Sequence, residues 1–123
     1  MKKENRKRLL VDFDGVIHKY SKGWHDGTCY DKPMKNAFEK LQILHDQGFE
    51  IYIYSTRCAT PEGIKEMQDW FRHHSVNSTW ENWRTWNFIE NLKYTYEKLP
   101  ALAYIDDRGI RFTNWEDIVK YFI

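Results

Sequence analysis

The chain has 123 residues, of which 41% are hydrophobic and 30% charged, and its net charge is +1. Those totals fit one folded domain, residues 1–123, with a single core, and they exclude a disordered chain or a core domain carrying a large lid. No apolar run approaches the roughly 18 residues of a membrane span, and a charge this small gives no strong overall field for nucleic acid.

The basic start, MKKENRKRLLVDFDG, has no long apolar segment and no small-residue cleavage site, so no secretory signal is read there. Its cluster Lys2, Lys3, Arg6, Lys7 and Arg8 reads as a solvated tail in preference to a phosphate-binding arm. Arg8 to Phe13 follows as the first strand. Gly15 to Pro33 has scattered glycines and no helical period, which predicts a loop or short hairpin. Met34 to Gln47 reads as a helix, with Ala37, Phe38, Leu41 and Leu44 at helical spacing and Gly48 as its stop. Glu50 to Tyr54 is the second strand, with Ser55-Thr56-Arg57 at its exit. Thr60-Pro61 reads as the N-cap and first position of a helix. Its apolar stripe is Ile64, Met67, Trp70 and Phe71, and it ends near His74.

Aromatic residues make up 17% of the chain, and four of the six tryptophans fall between Trp70 and Trp86. Trp70 sits on an apolar helix face and reads as core. Trp80, Trp83 and Trp86 are spaced by three, which favours inward packing over base stacking. Ser75 to Trp86 is polar and gives no assignable pattern. Asn87 to Glu97 reads either as a helix or as a short strand followed by a turn. Leu102 to Ile105 is a later strand that ends in Asp106-Asp107-Arg108, and Ile110 to Phe112 is a short final one. Asn114 caps a last helix bearing Trp115, Ile118, Val119 and Phe122. Strands alternating with helices predict an α/β fold with a mostly parallel sheet, whose strand exits share one edge where ligands bind.

Three of those exits carry polar residues: Asp12 and Asp14 at the first, Ser55, Thr56 and Arg57 at the second, Asp106 and Asp107 at the late one. Lys98 precedes the late strand and could reach the same edge. Four carboxylates brought together repel one another unless a cation sits among them. An all-oxygen, acid-rich site with room for water suits Mg²⁺, which in turn favours a phosphate ligand. Ser55, backbone N–H groups and Lys98 would hold the phosphoryl oxygens. One aspartate of the pair could attack phosphorus, and the other could stay protonated long enough to serve the leaving oxygen. Gly15 permits the chain to bend just after the strand and to approach a ligand closely. Thr56 and Arg57 join Gly15 as candidate substrate-binding residues; Arg57 could touch substrate or pair with an acid.

The run Asp12-Phe13-Asp14-Gly15-Val16 resembles the first motif of the haloacid dehalogenase superfamily, and Ile51-Tyr52-Ile53-Tyr54-Ser55 resembles the second. Lys98 is similar to the lysine of the third, and Tyr104-Ile105-Asp106-Asp107-Arg108 is similar to the acidic fourth. All four follow the family order across most of the chain. The resemblance implies a Rossmann-like three-layer α/β/α sandwich with no large cap. It also implies a Mg²⁺-dependent phosphatase in which Asp12 forms an aspartyl-phosphate and Asp14 is the general acid/base. Ser55 would bind the transferring phosphoryl group, and Lys98 would neutralise Asp12 and phosphate. Asp12, the Asp14 backbone carbonyl and Asp106 would hold the metal, with Asp107 in support. Lys93 competes with Lys98 for the lysine role. An uncapped site implies a bulky phosphorylated substrate. The Ile-Asp-Asp-Arg stretch resembles the phosphatase half of phage-type polynucleotide kinase/phosphatases, which makes a polynucleotide 3′-phosphatase a narrower alternative; the small net charge weighs against it.

A two-component receiver uses similar groups in a different order, with adjacent acids first and its phospho-acceptor in mid-chain, so the order here argues against it. A non-catalytic binding domain is disfavoured because every motif position is filled. Cys29 and Cys58 form no CxxC pair, which predicts free thiols in a reducing cytoplasm. His25 with Cys29 has no second ligand pair for zinc, and His73-His74 reads as a helix end favoured by the dipole.

Overall fold

A computed structural model describes residues 7–76, 86–106 and 110–123. Five strands form one sheet: β1 (Arg8–Asp12), β2 (Glu50–Tyr54), β3 (Lys93–Thr95), β4 (Ala103–Asp106) and β5 (Ile110–Arg111). Their order is β3-β2-β1-β4-β5, and each neighbouring pair is parallel. With helices α1 (Ala37–Asp46), α2 (Pro61–Val76) and α3 (Trp115–Lys120), this is an α/β fold.

Strand periodicity sorts side chains onto two faces. Leu9 and Val11 of β1, Ile51 and Ile53 of β2 and Ile105 of β4 join one buried cluster. The helices close that cluster with Phe38 and Leu41 of α1, Met67 and Phe71 of α2, and Trp115 and Ile118 of α3. Leu10 pairs in register with Tyr52 on one side and Tyr104 on the other, and these three alternate to the opposite face. There Arg8 and Lys93 lie over the Tyr52 ring, 4.8 and 5.7 Å from its centroid, and Lys98 lies 4.5 Å over Tyr104. Residues 98–100 run against this face, where the Tyr104 hydroxyl donates to the Leu99 carbonyl at 2.9 Å and Arg8 Nη1 to the Pro100 carbonyl at 3.0 Å.

From β1 the chain moves outward through β2 to β3, then returns to the other side of β1 as β4. The order therefore reverses beside β1, and the switch point of this sheet lies between the exits of β1 and β4. Asp12 ends β1, Asp106 ends β4, and the Val11–Ile105 register sets the two acids side by side.

Some boundaries differ from the sequence reading. The helix expected from Met34 begins at Ala37, because the Met34 N–H is committed to the Ile17 carbonyl at 2.7 Å and Asn36 takes the left-handed conformation at φ 63°. Asn87–Asn91 is a 3-10 turn leading into the short β3, so each alternative for that stretch holds in part. Thr60 receives the Gly63 N–H and Asn114 receives the Asp117 N–H, as expected of caps. Trp70 and Trp86 are buried in the core, both against Phe38. Trp80 and Trp83 lie outside the described residues.

Candidate functional site

Asp12 is half-buried at the end of β1, and its Oδ1 accepts the Phe13 N–H at 2.9 Å. The chain then turns sharply. Gly15 adopts φ 84°, a conformation that strains any residue with a Cβ, and its N–H donates to the His18 carbonyl at 2.8 Å. The N–H groups of Ile17 and His18 converge on the Phe13 carbonyl at 2.9 and 3.0 Å. This turn brings the His18 ring back to Asp14, with Nδ1 2.9 Å from Oδ1.

Ser55 leaves β2 as the N-cap of the 3-10 turn Thr56–Ala59, its Oγ accepting the Arg57 N–H at 3.1 Å. That turn aims Arg57 inward. Its Nε donates to Asp14 Oδ2 at 3.0 Å, its Nη2 to Oδ1 at 3.1 Å, and its Nη1 to the Gly27 carbonyl. The Arg57 side chain is only 2% exposed. Of its two expected roles the geometry shows the pairing with an acid.

Asp12, Asp14, Tyr54, Ser55, Thr56 and Tyr96 line one open cleft of about 400 Å³. Asp14 is pulled two ways. Burial, the largest influence, raises its pKa; the hydrogen bonds from His18 and Arg57 and the guanidinium charge together outweigh it and leave the carboxyl below its ordinary value. The free site therefore holds Asp14 as a carboxylate and disfavours the protonated form expected of a proton donor. Burial pushes the Cys29 thiol up to about 12 and raises Cys58 as well, so neither cysteine is poised as a nucleophile.

The two candidate lysines separate. Lys93 opens β3 beside Tyr52, at the end of the sheet remote from the exits, and lines a different hollow with His45 and Glu50. Lys98 follows the β3 exit by three residues and is exposed over Tyr104. Neither lines the cleft. Among the described residues no group of three His, Cys, Asp or Glu side chains is placed to hold a metal. Asp106 stands at the β4 exit beside β1, while Asp107 and Arg108 lie outside the described residues.

His18 carried no weight in the sequence reading. The available signal was its spacing of four from Asp14, but the residue that completes its environment, Asp31, lies 13 positions on and binds through its backbone. Trp24 was likewise invisible: its ring lies 4.8 Å from the Arg57 guanidinium, on the side of the loop that also supplies the Gly27 carbonyl. His73 and His74 occupy the last turn of α2, with His74 against Trp70, in keeping with a helix-end reading. No family model matches the chain, and none of the curated proteins or solved structures compared with it is significantly similar.

Proposed function

We propose that the chain is a phosphomonoester hydrolase of the haloacid dehalogenase type, working through an aspartyl-phosphate on Asp12. The observation that supports this most is the cleft itself: two carboxylates and two hydroxyl residues at adjacent strand exits, beside the switch point of a parallel sheet. The fold would then be a Rossmann-like three-layer α/β/α sandwich; the described helices pack on one face of the sheet, and among the described residues, 98–100 lie against the other.

Asp12 attacks phosphorus, and the bond from phosphorus to the ester oxygen breaks. Asp14 gives a proton to that departing oxygen, then removes one from the water that cleaves the aspartyl-phosphate and restores Asp12. Because Asp14 rests as a carboxylate, the first of these protons must enter with the substrate, which a phosphomonoester monoanion carries. Ser55, whose oxygen already accepts the Arg57 N–H, keeps its hydrogen for a phosphoryl oxygen. Lys98 would reach the same group from the β3 exit only by leaving the Tyr104 ring, over which it lies at 4.5 Å.

The oxygen-only chemistry of the acids at these exits suits a magnesium ion. Among the described residues the cleft lining includes two acids, Asp12 and Asp14, and no lysine or arginine, and Arg57 is committed to Asp14. Asp12, Asp106 and the Asp14 carbonyl would hold it, with Asp107, which lies outside the described residues, in support. Bound there, the ion would neutralise charge on the phosphoryl oxygens.

The deciding experiment is turnover of a generic aryl phosphate by the chain and by Asp12→Asn. The variant should lose activity by more than about a thousand-fold, since the nucleophile is gone; unchanged turnover sinks the mechanism.

A narrower reading, a polynucleotide 3′-phosphatase, draws on one observation. Tyr96 is 58% exposed on the wall of the cleft, and the exposed Lys98 follows it two residues on. Aromatic faces interleaved with cations suit a single strand. Phosphate release from a 3′-phosphorylated oligonucleotide, set beside a panel of sugar phosphates, tests it; no release from the oligonucleotide ends that reading and leaves the phosphatase standing.

A further inference from the structure

The His18 ring is fully buried, and both of its nitrogens are engaged. Nε2 receives the Asp31 backbone N–H at 2.9 Å, so that nitrogen presents a lone pair. The ring proton must then sit on Nδ1, which points at Asp14 Oδ1 at 2.9 Å and donates to it. A backbone group of the loop thus fixes the tautomer that holds Asp14.

The Asp14 carboxylate offers about four acceptor positions. Oδ1 takes two donors, His18 Nδ1 and Arg57 Nη2, and Oδ2 takes one, Arg57 Nε. One position remains, on Oδ2, in a residue that lines the cleft. Arg57 is itself held from behind by the Gly27 carbonyl and the Trp24 ring. The carboxylate plane is therefore locked by two residues that do not line the cleft.

We propose that His18 and Arg57 are positioning residues for Asp14, and that they leave Oδ2 as the single atom exchanging a proton with the leaving oxygen and the hydrolytic water. This rests on the phosphatase reading above. The step balances: the ester oxygen departs from phosphorus with the proton that the substrate monoanion brought to Oδ2, and the attacking water gives one to Oδ2 as its oxygen bonds to phosphorus and the bond from phosphorus to Asp12 breaks. A misplaced proton donor harms a reaction only as far as the leaving group needs the proton.

Two substrates separate this from a merely structural role. An alkyl phosphate needs a proton on its departing oxygen, whereas 4-nitrophenyl phosphate leaves as a stable anion. We expect His18→Gln, which can keep the Asp31 bond but not the Asp14 bond, to lose about a hundred-fold in kcat/KM on the alkyl phosphate and less than about five-fold on the aryl one, the scale set by misplacing a catalytic group. His18→Asn, whose amide N–H stands near the place of Nδ1–H, should recover most of the loss. Arg57→Lys should resemble His18→Gln. Because each ratio compares two substrates on one protein, a smaller folded fraction cancels from it. Equal losses on both substrates, or no difference between the Gln and Asn variants, overturn the proposal. An Asp12→Asn variant that still turns over, or a chain inactive on both substrates, overturns the phosphatase reading instead.

Discussion

The Ser55 oxygen accepts the Arg57 N–H at 3.1 Å inside a nearly buried site, so removing that hydroxyl has two separable effects. Ser55→Ala strands a buried backbone donor, which costs about 1–3 kcal/mol of stability. It also removes the proposed donor to a phosphoryl oxygen, which should lower kcat/KM by about a hundred-fold on the scale of a lost oxyanion donor. Ser55→Thr keeps both atoms and should recover both quantities. Urea denaturation and aryl phosphate kinetics on the same preparations check the pair. A stability loss with unaltered kinetics would leave Ser55 as a cap for the turn and nothing more. The same double character runs through the site: Asp14, His18 and Arg57 each satisfy buried polar groups while shaping the cleft. That is why residue type alone said less about Arg57 than about Asp12.

At the scale of elements, the 3-10 turn Thr56–Ala59 and the start of α2 are fitted to each other through one glycine. A Cβ built on Gly63 would stand 2.0 Å from the Arg57 carbonyl oxygen, a contact that backbone must yield to. Gly63→Ala should therefore push the turn away from α2, at an overpacking cost of about 1–3 kcal/mol. Gly63 itself does not line the cleft, but moving the turn should disturb the Asp14–Arg57 pair and the Thr56 wall of the cleft. Thermal unfolding and kcat/KM should both fall, and a variant that keeps the parent's stability would show that the turn gives way freely. Gly63 reads from sequence as an ordinary residue in a helix, because the atom it must avoid belongs to another element. Strands and their exits were legible for the converse reason: β1, β2 and β4 each carry an apolar run whose alternation and polar end lie within a few residues. Gly15 to Pro33 reads as a loop or short hairpin, and each holds in part, since turns are closed by an antiparallel bridge of His18 with Pro33; the work of the segment is not legible in the same way. Its side chains His18 and Trp24 meet Asp14 and Arg57, but what fixes them there includes the Asp31 N–H on His18 and the Gly27 carbonyl on Arg57, backbone groups that residue type does not reveal.

Across the whole molecule, the three helices join one buried cluster through one face of the sheet, and the acids stand at the exits of β1 and β4 where the strand order reverses. Asp12 and Asp106 are brought together by register alone, from positions 94 residues apart in sequence, which ties the proposed metal to the integrity of the fold. An ion that binds these two acids binds only when β1 and β4 are paired, so it must stabilise the folded chain by mass action. At a hundred times its dissociation constant, Mg²⁺ should add about 2.7 kcal/mol, which for a domain of this size raises Tm by roughly ten degrees. Chelation should abolish turnover and return Tm to its metal-free value, and added Mg²⁺ should restore both together. Asp106→Asn should weaken the Tm response along with the activity, because it removes one of the two carboxylates while leaving the strand in place. Calorimetry with and without chelator, beside activity on the same samples, reads all of this. Turnover that survives chelation, with a Tm indifferent to Mg²⁺, would mean that the acid pair at the switch point holds no metal and that the charge on phosphate is met by some other group.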